Sequence, residues 1–378
     1  MNDMVPLSLI KEIARILHSG ETSPFFHNFD GGPNIQEFEK EFARYVGTRY
    51  AVSVANGSLA LNAAYTALAD EMRPKPIEAI TTPYTFIATV SELVRADVRP
   101  VFGDIDPETF ALDANSTSQR IGPRTRMIVV MHPLGVPVEM DGFLRIAKDQ
   151  GKNAPIICED AAQALGSTFR GKKCGSYGRA ACFSLQQTKS LSTGEGGVVV
   201  TDDREVYDKL RHLRNHGNKY GPFRKIYSHM IATNYRLTEI QAAIAVHALR
   251  NYDKVVSAQR RRARVLIEAI QSSRVFVPQK WPDHSEPNGY IVGCRIRGSH
   301  KARGRFLRMA SRFNKGIPGY VVGGGYAELA YQLPALRYLK ASCPTAEAVV
   351  RDAVWVDARK MPMEVVKELA RTIEGLKG

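Results

Sequence analysis

Cys182-Phe-Ser-Leu-Gln-Gln-Thr-Lys-Ser-Leu-Ser-Thr-Gly-Glu-Gly-Gly197 opens on a β-prone run that ends at Leu185, and a second apolar run starts at Val198. The connection holds one lysine, Lys189, followed by three glycines. A lysine in a glycine-rich loop between two strands is held near backbone on a rigid base. There it can reach a carbonyl, and desolvation can lower its pKa. Taken alone, the stretch reads more simply as a surface lysine in a hairpin loop.

Working outward, short apolar runs alternate with helical patterns as far as about residue 250, which reads as an α/β domain. The expected strands are Tyr50–Val54, Glu78–Thr81, Arg99–Phe102, Met127–Met131, Ile156–Cys158, Ala181–Leu185 and Val198–Thr201. Helix patterns such as Leu59–Leu68 and Phe86–Arg95 lie between them, and one long helix is expected from about Thr238 to about Ile270. Beyond it come a strand at Tyr290–Arg295, a basic helix at Lys301–Asn314, a strand near Val321 and a terminal helix at Glu364–Leu376. The expected organisation is a large α/β domain over residues 1–250 and a small C-terminal α+β domain over 251–378.

The bulk figures agree with a soluble two-domain protein of 378 residues, 44% hydrophobic and 24% charged. No apolar run is long enough to span a bilayer, and residues 1–20 read as an amphipathic helix rather than a secretory leader. The five scattered cysteines form no CxxC pair, which points to a reducing cytoplasm and to neither zinc nor a disulfide framework. The net charge of +14 is unusual. Arg260, Arg261, Arg262 and Arg264 contribute to it, as do Lys301, Arg305, Arg308, Arg312 and Lys315 along one helix stripe. Phe306, Met309, Ala310 and Phe313 occupy another face of that helix, so the plain reading is an amphipathic helix with a solvated basic side. No nucleic-acid motif accompanies the charge.

Two further segments bear on Lys189. Ile156-Ile-Cys-Glu-Asp-Ala-Ala-Gln163 reads as a buried strand ending in acidic residues. In an open α/β sheet, ligands sit outside the carboxyl ends of strands, which places Asp160 at such a crevice. There a carboxylate can keep a pyridine nitrogen protonated, or Asp160 can simply cap a helix. Val52-Ser-Val-Ala-Asn-Gly-Ser58 runs into the helix pattern at Leu59. The amides of Gly57 and Ser58, the Ser58 hydroxyl and the helix dipole make a phosphate site, with Ser184 able to add a hydroxyl. The segment is neither a Walker loop nor GxGxxG, which excludes the usual ATP and dinucleotide motifs.

Together these segments resemble the DegT/DnrJ/StrS sugar aminotransferases, within the aspartate-aminotransferase fold. The resemblance runs from about Phe29 to about Arg250 and rests on Asn-Gly-Ser at 56–58, Thr-Pro-Tyr-Thr-Phe at 82–86 and Asp-Ile-Asp at 104–106. It continues with His-Pro-Leu-Gly at 132–135, Glu-Asp-Ala-Ala-Gln at 159–163 and Phe-Ser-Leu-Gln-Gln-Thr-Lys at 183–189. Gly-Glu-Gly-Gly at 194–197, Arg-Asn-His-Gly at 214–217 and Asn-Tyr-Arg-Leu at 234–237 complete it. It implies a fold type I enzyme, α/β with a large, mostly parallel seven-stranded sheet, that uses pyridoxal 5′-phosphate (PLP) to move an amino group onto a keto-sugar or keto-cyclitol. The implied donor is glutamate or glutamine. The implied roles are Lys189 as Schiff-base lysine, Asp160 at the ring nitrogen and Phe86 on the ring face, although Phe86 alone also reads as a core phenylalanine on a helix. Gln163 approaches the ring oxygen, and Gly57, Ser58 and Ser184 hold the phosphate. Asn234 reaches the phosphate of a second copy, which implies a homodimer with shared sites. His132 and His216 fall in motif positions and read as structural.

One departure stands out. The tyrosine–proline–hydrophobic–histidine stretch of many relatives is replaced by Gly323-Gly-Gly-Tyr-Ala-Glu-Leu329, in which only Tyr326 answers to the tyrosine. A PLP-dependent sugar dehydratase is the nearest alternative, and Lys189 argues against it because such relatives lack the lysine. A non-catalytic sensor on the same fold is the other. The Gln186–Lys189 wording is most similar to the branch acting on keto-inositols.

Overall fold

The computed structural model describes residues 5–26, 28–70, 72, 75–220, 226–228, 230–297, 300–314 and 322–376. Seven strands build the main sheet: β1 (Tyr50–Val54), β2 (Ile77–Thr81), β3 (Val98–Phe102), β4 (Thr125–Met131), β5 (Ile156–Asp160), β6 (Ala180–Ser184) and β7 (Gly197–Thr201). Their order is β1-β7-β6-β5-β4-β2-β3. The strands from β6 to β3 pair in parallel, whereas β7 runs antiparallel to both its neighbours, β1 and β6. β6 and β7 are joined by a loop that turns straight back, so the Lys189 segment is indeed a hairpin connection.

The helices that accompany these strands begin with α1 (Leu7–Ser19), α2 (Pro33–Val46), α3 (Gly57–Ala69), α4 (Ile87–Arg95), α5 (Ala114–Gln119) and α6 (Met140–Asp149). Side chains alternate across the sheet with a period of two, and both faces are covered. Cys182 and Val199 pack on one side with α3 (Gly57–Ala69) and α7 (Arg204–Arg214). Ala181, Phe183, Val198 and Val200 pack on the other with α2 (Pro33–Val46) and α8 (Glu239–Arg250). Burial on both faces is why these strands read as continuous apolar runs. β5 runs two residues beyond the expected Cys158, because Glu159 and Asp160 are themselves buried and paired in the sheet.

The long helix expected over 238–270 is two helices. α8 is capped by Thr238 and ends at Asn251, which is not helical (φ −103°, ψ 4°), and α9 (Tyr252–Ser272) starts anew. The Asn251 amide side chain bonds the carbonyl of His247, a local competitor to helix continuation. Along α9, Tyr252 and Val256 join the large-sheet core, and Ala263, Leu266 and Ile270 join a second one. That second core underlies the antiparallel sheet β8-β9-β11-β10, formed by β8 (Phe276–Pro278), β9 (Val292–Ile296), β10 (Val322–Gly323) and β11 (Ala353–Val356). Val321, near which a strand was expected, lies outside the described residues, and β10 begins at the next position. The basic helix spans His300–Ala310 and tightens into a 3-10 turn at Ser311–Asn314; Phe306, Ala310 and Phe313 are buried. Lys315 of its basic stripe lies outside the described residues.

Candidate active site

The carboxyl ends of β5 and β6 open into a cavity of about 850 Å³. Its floor is built from the three segments that the sequence singles out. At the end of β1, Asn56 caps α3, its side chain accepting from the Leu59 amide at 2.9 Å. The amides of Gly57 and Ser58 have no carbonyl a turn earlier to bond, so they face the cavity with the positive end of the helix dipole. A Cβ on Gly57 would lie 2.7 Å from the Cβ of Ser184 and 2.9 Å from its hydroxyl. Glycine is therefore what lets that hydroxyl meet the helix terminus, forming a cradle for an anion. Gly197 serves the same junction from the other side, since a Cβ there would lie 2.3 Å from the Asn56 carbonyl oxygen.

Asp160 ends β5 with its carboxylate fixed. Thr89 Oγ1 donates to it at 2.7 Å and the Ala162 amide at 3.1 Å, and Thr89 shares a 2.6 Å bond with Thr85. Its neighbour Glu159 points to the opposite face of the strand. There it is fully buried and accepts from the amides of Gly175, Tyr177 and Gly178, each at 2.7 Å, and from His132 Nε2 at 3.0 Å. The Val138 amide donates to His132 Nδ1 at 3.1 Å, which holds the ring with its Nε2 toward Glu159. His132 is thus structural, and so is His216, which holds a positive-φ turn (φ 58°) through its backbone.

Lys189 lies in the 185–196 loop, with its backbone amide bonded to the Gln186 carbonyl at 2.7 Å and its Nζ donating to the Tyr290 hydroxyl at 3.3 Å. Gln163 spans the side wall: its Oε1 accepts from the Leu134 amide at 2.7 Å and its Nε2 donates to the Tyr326 hydroxyl at 3.1 Å. Burial pushes the Tyr326 phenol above its ordinary range, so it stays protonated with its own hydrogen free to donate. Phe86, whose alternative reading was a core residue, is 61% exposed at the cavity rim and free to cover a flat ring. Asn234 is exposed, lies outside the lining of this cavity, and accepts from the Arg236 amide at 3.0 Å.

Thr85, Thr89, Tyr290, Trp355, Asp357 and Arg359 also line the cavity. For Thr85 and Thr89 a signal existed: hydroxyls four residues apart at a helix start share a face. The other four come from the C-terminal region, where no motif marks them. In one cavity, then, stand an anion cradle, a carboxylate suited to a protonated ring nitrogen, an amine suited to a carbonyl, and an exposed aromatic face.

The architecture is that of the PLP-dependent aminotransferases. It superposes on a crystal structure of 3-amino-5-hydroxybenzoic acid synthase with a TM-score of 0.86 and 25% identity, covering 98% of this chain and 96% of that one. The model of the DegT/DnrJ/EryC1/StrS aminotransferase family matches residues 11–374, and the chain belongs to that family of PLP enzymes. Among curated relatives, GDP-perosamine synthase of Caulobacter vibrioides is 39% identical over 230 residues, covering 61% of this chain and 60% of that protein. Spore coat polysaccharide biosynthesis protein SpsC of Bacillus subtilis is 35% identical over 279 residues, covering 70% and 68% respectively. The matched stretches thus span about two thirds or less of these relatives' lengths.

Proposed function

We propose that the chain transfers an amino group from glutamate or glutamine to a keto group on a nucleotide-linked sugar or a cyclitol, in amino-sugar or aminocyclitol biosynthesis. The observation that carries this reading is the meeting of Lys189, Asp160 and the Gly57–Ser58–Ser184 cradle in one cavity lined by Phe86. Bound PLP would supply an electron sink for the electrons left at the donor α-carbon. The cradle would bind its phosphate, and Phe86 would cover its ring while Gln163 would orient it. Asp160, oriented by the Thr89 hydroxyl, would face the ring nitrogen and keep it protonated. Lys189 would anchor the cofactor; once the donor takes its place, its Nζ would move the proton from the donor α-carbon to the cofactor carbon that bears the nitrogen, and with the acceptor it would move a proton the opposite way, from that carbon to the former keto carbon.

The kinship to GDP-perosamine synthase favours a nucleotide-linked acceptor. Exposure of Asn234 away from its own cavity favours a homodimer, with Asn234 completing the phosphate site of the second copy. The five cysteines are buried free thiols, and no described helix is long and apolar enough to cross a membrane, which is consistent with a cytoplasmic enzyme. The test has two stages. Glutamate and glutamine are added to the PLP-loaded protein and the visible cofactor band is followed. Product is then sought by mass spectrometry with nucleotide keto-sugars and keto-inositols. Loss of the band with either donor is expected; a band indifferent to every amino donor overturns the proposal.

A further inference from the structure

Among the described residues, the hydrogen bond of the Lys189 amine goes to Tyr290. Tyr290 belongs to the segment leading into β9, and its placement is built in detail. Asn288 is fully buried. Its Oδ1 accepts from the Tyr290 amide at 2.9 Å, and its Nδ2 donates to the carbonyls of Gln163 and Leu165, both at 3.0 Å. The backbone carrying Tyr290 is thereby tied to the loop that follows Asp160. The ring is held from above by Arg359, whose guanidinium carbon lies 3.9 Å from the ring centroid. Arg359 in turn is gripped by both oxygens of Asp357, at 2.8 and 2.5 Å, and donates to the carbonyl of Thr188, the residue before Lys189. Burial opposes the Arg359 charge, but Asp357 and Tyr290 outweigh it and raise its pKa above the ordinary value.

We propose that Tyr290 is a positioning residue for Lys189, held by the Asp357–Arg359 pair. Its hydroxyl accepts from the amine and keeps it aimed into the cavity, while the pair braces both the phenol and the lysine's own loop. The inference rests on the aminotransferase reading. It assigns the C-terminal region a role at the reacting lysine in addition to walling the substrate side. Among the described residues, the other charged groups of the lining, Asp160, Glu92, Arg95, Glu195 and Lys360, make no hydrogen bond to Lys189.

The experiment strips the full-length protein of cofactor and measures the rate of PLP capture at the visible band. Wild-type protein is compared with Tyr290→Phe, which keeps the ring under Arg359. Without the hydroxyl that aims the amine, capture in Tyr290→Phe is expected to slow about 10-fold, the scale of one lost charge-assisted bond. In the reloaded enzyme kcat is expected to fall about 10- to 100-fold while the donor KM stays within about threefold, as misplacement of a reacting group predicts. Asp357→Asn, which loosens Arg359 from the Tyr290 ring and the Thr188 carbonyl, is expected to slow capture in the same direction. It serves as the test if Tyr290→Phe does not fold. An unchanged capture rate in the folded variant overturns the inference. Wild-type protein that captures no PLP overturns the functional proposal instead, which keeps the two failures distinct.

Discussion

The floor and the C-terminal wall of the cavity are made by different means. The floor stands on strand ends and a helix terminus: Asp160 closes β5, Ser184 closes β6, and Gly57 opens α3. Each position is dictated by backbone that the sheet core fixes, and Asp160 is held there by the Thr89 hydroxyl and the Ala162 amide. The wall is made of side chains from connecting segments, such as Tyr290 before β9 and Asp357 and Arg359 after β11. These brace one another across long stretches of chain. Backbone architecture thus fixes the floor, and side-chain packing fixes the wall that faces it.

Substitutions in the floor should give the larger effects. Lys189→Ala is expected to abolish the visible cofactor band and lower turnover by at least about 10³-fold, read by absorbance and by amine transfer; residual turnover near wild type removes Lys189 from the mechanism. Asp160→Asn removes the charge and leaves one acceptor oxygen for the two donors Thr89 and Ala162, and turnover should fall by about 10²- to 10³-fold. Its strand neighbour offers a sharp contrast. Glu159→Gln disturbs a buried acceptor of three amides, so unfolding should become easier by about 2 kcal/mol in a denaturant melt, with the cofactor band of the folded protein unchanged. Gly57→Ala drives a methyl group into Ser184, and strain of about 1–3 kcal/mol should appear as weaker PLP binding in a titration. In the wall, Tyr326→Phe leaves Gln163 Nε2 without its acceptor, and a change of only about 3- to 10-fold in acceptor kcat/KM is expected. Should Tyr326→Phe exceed Asp160→Asn, the division between floor and wall fails.

Legibility followed the same division. The junction at Asn56–Ser58, the strand end at Asp160 and the Lys189 loop were readable because glycine, caps and apolar runs report local backbone needs. Phe86 was readable as a ring or a core residue, and only its exposure separated the two. The break at Asn251 was missed because the apolar period continues through it. Glu159 and Asp160 look equivalent in sequence, yet strand alternation sends one to a structural knot and the other to the site.

The sequence by itself placed Gly57–Ser58 at a helix start, Asp160 at a strand end and Lys189 in a loop between strands, since each placement depends on residues within one turn or one strand end; that Ser184 meets Gly57 was left to the fold. Only the tertiary structure decided what surrounds that lysine. Tyr290 is 101 residues from Lys189 and Arg359 is 171 from Thr188. Contacts at that separation leave no local period or turn signature, because packing of the two sheets through α9, not the chain's own geometry, brings them together. The lysine was legible as a lone amine in a glycine-rich loop; the phenol and the ion pair that hold it became visible only in the fold.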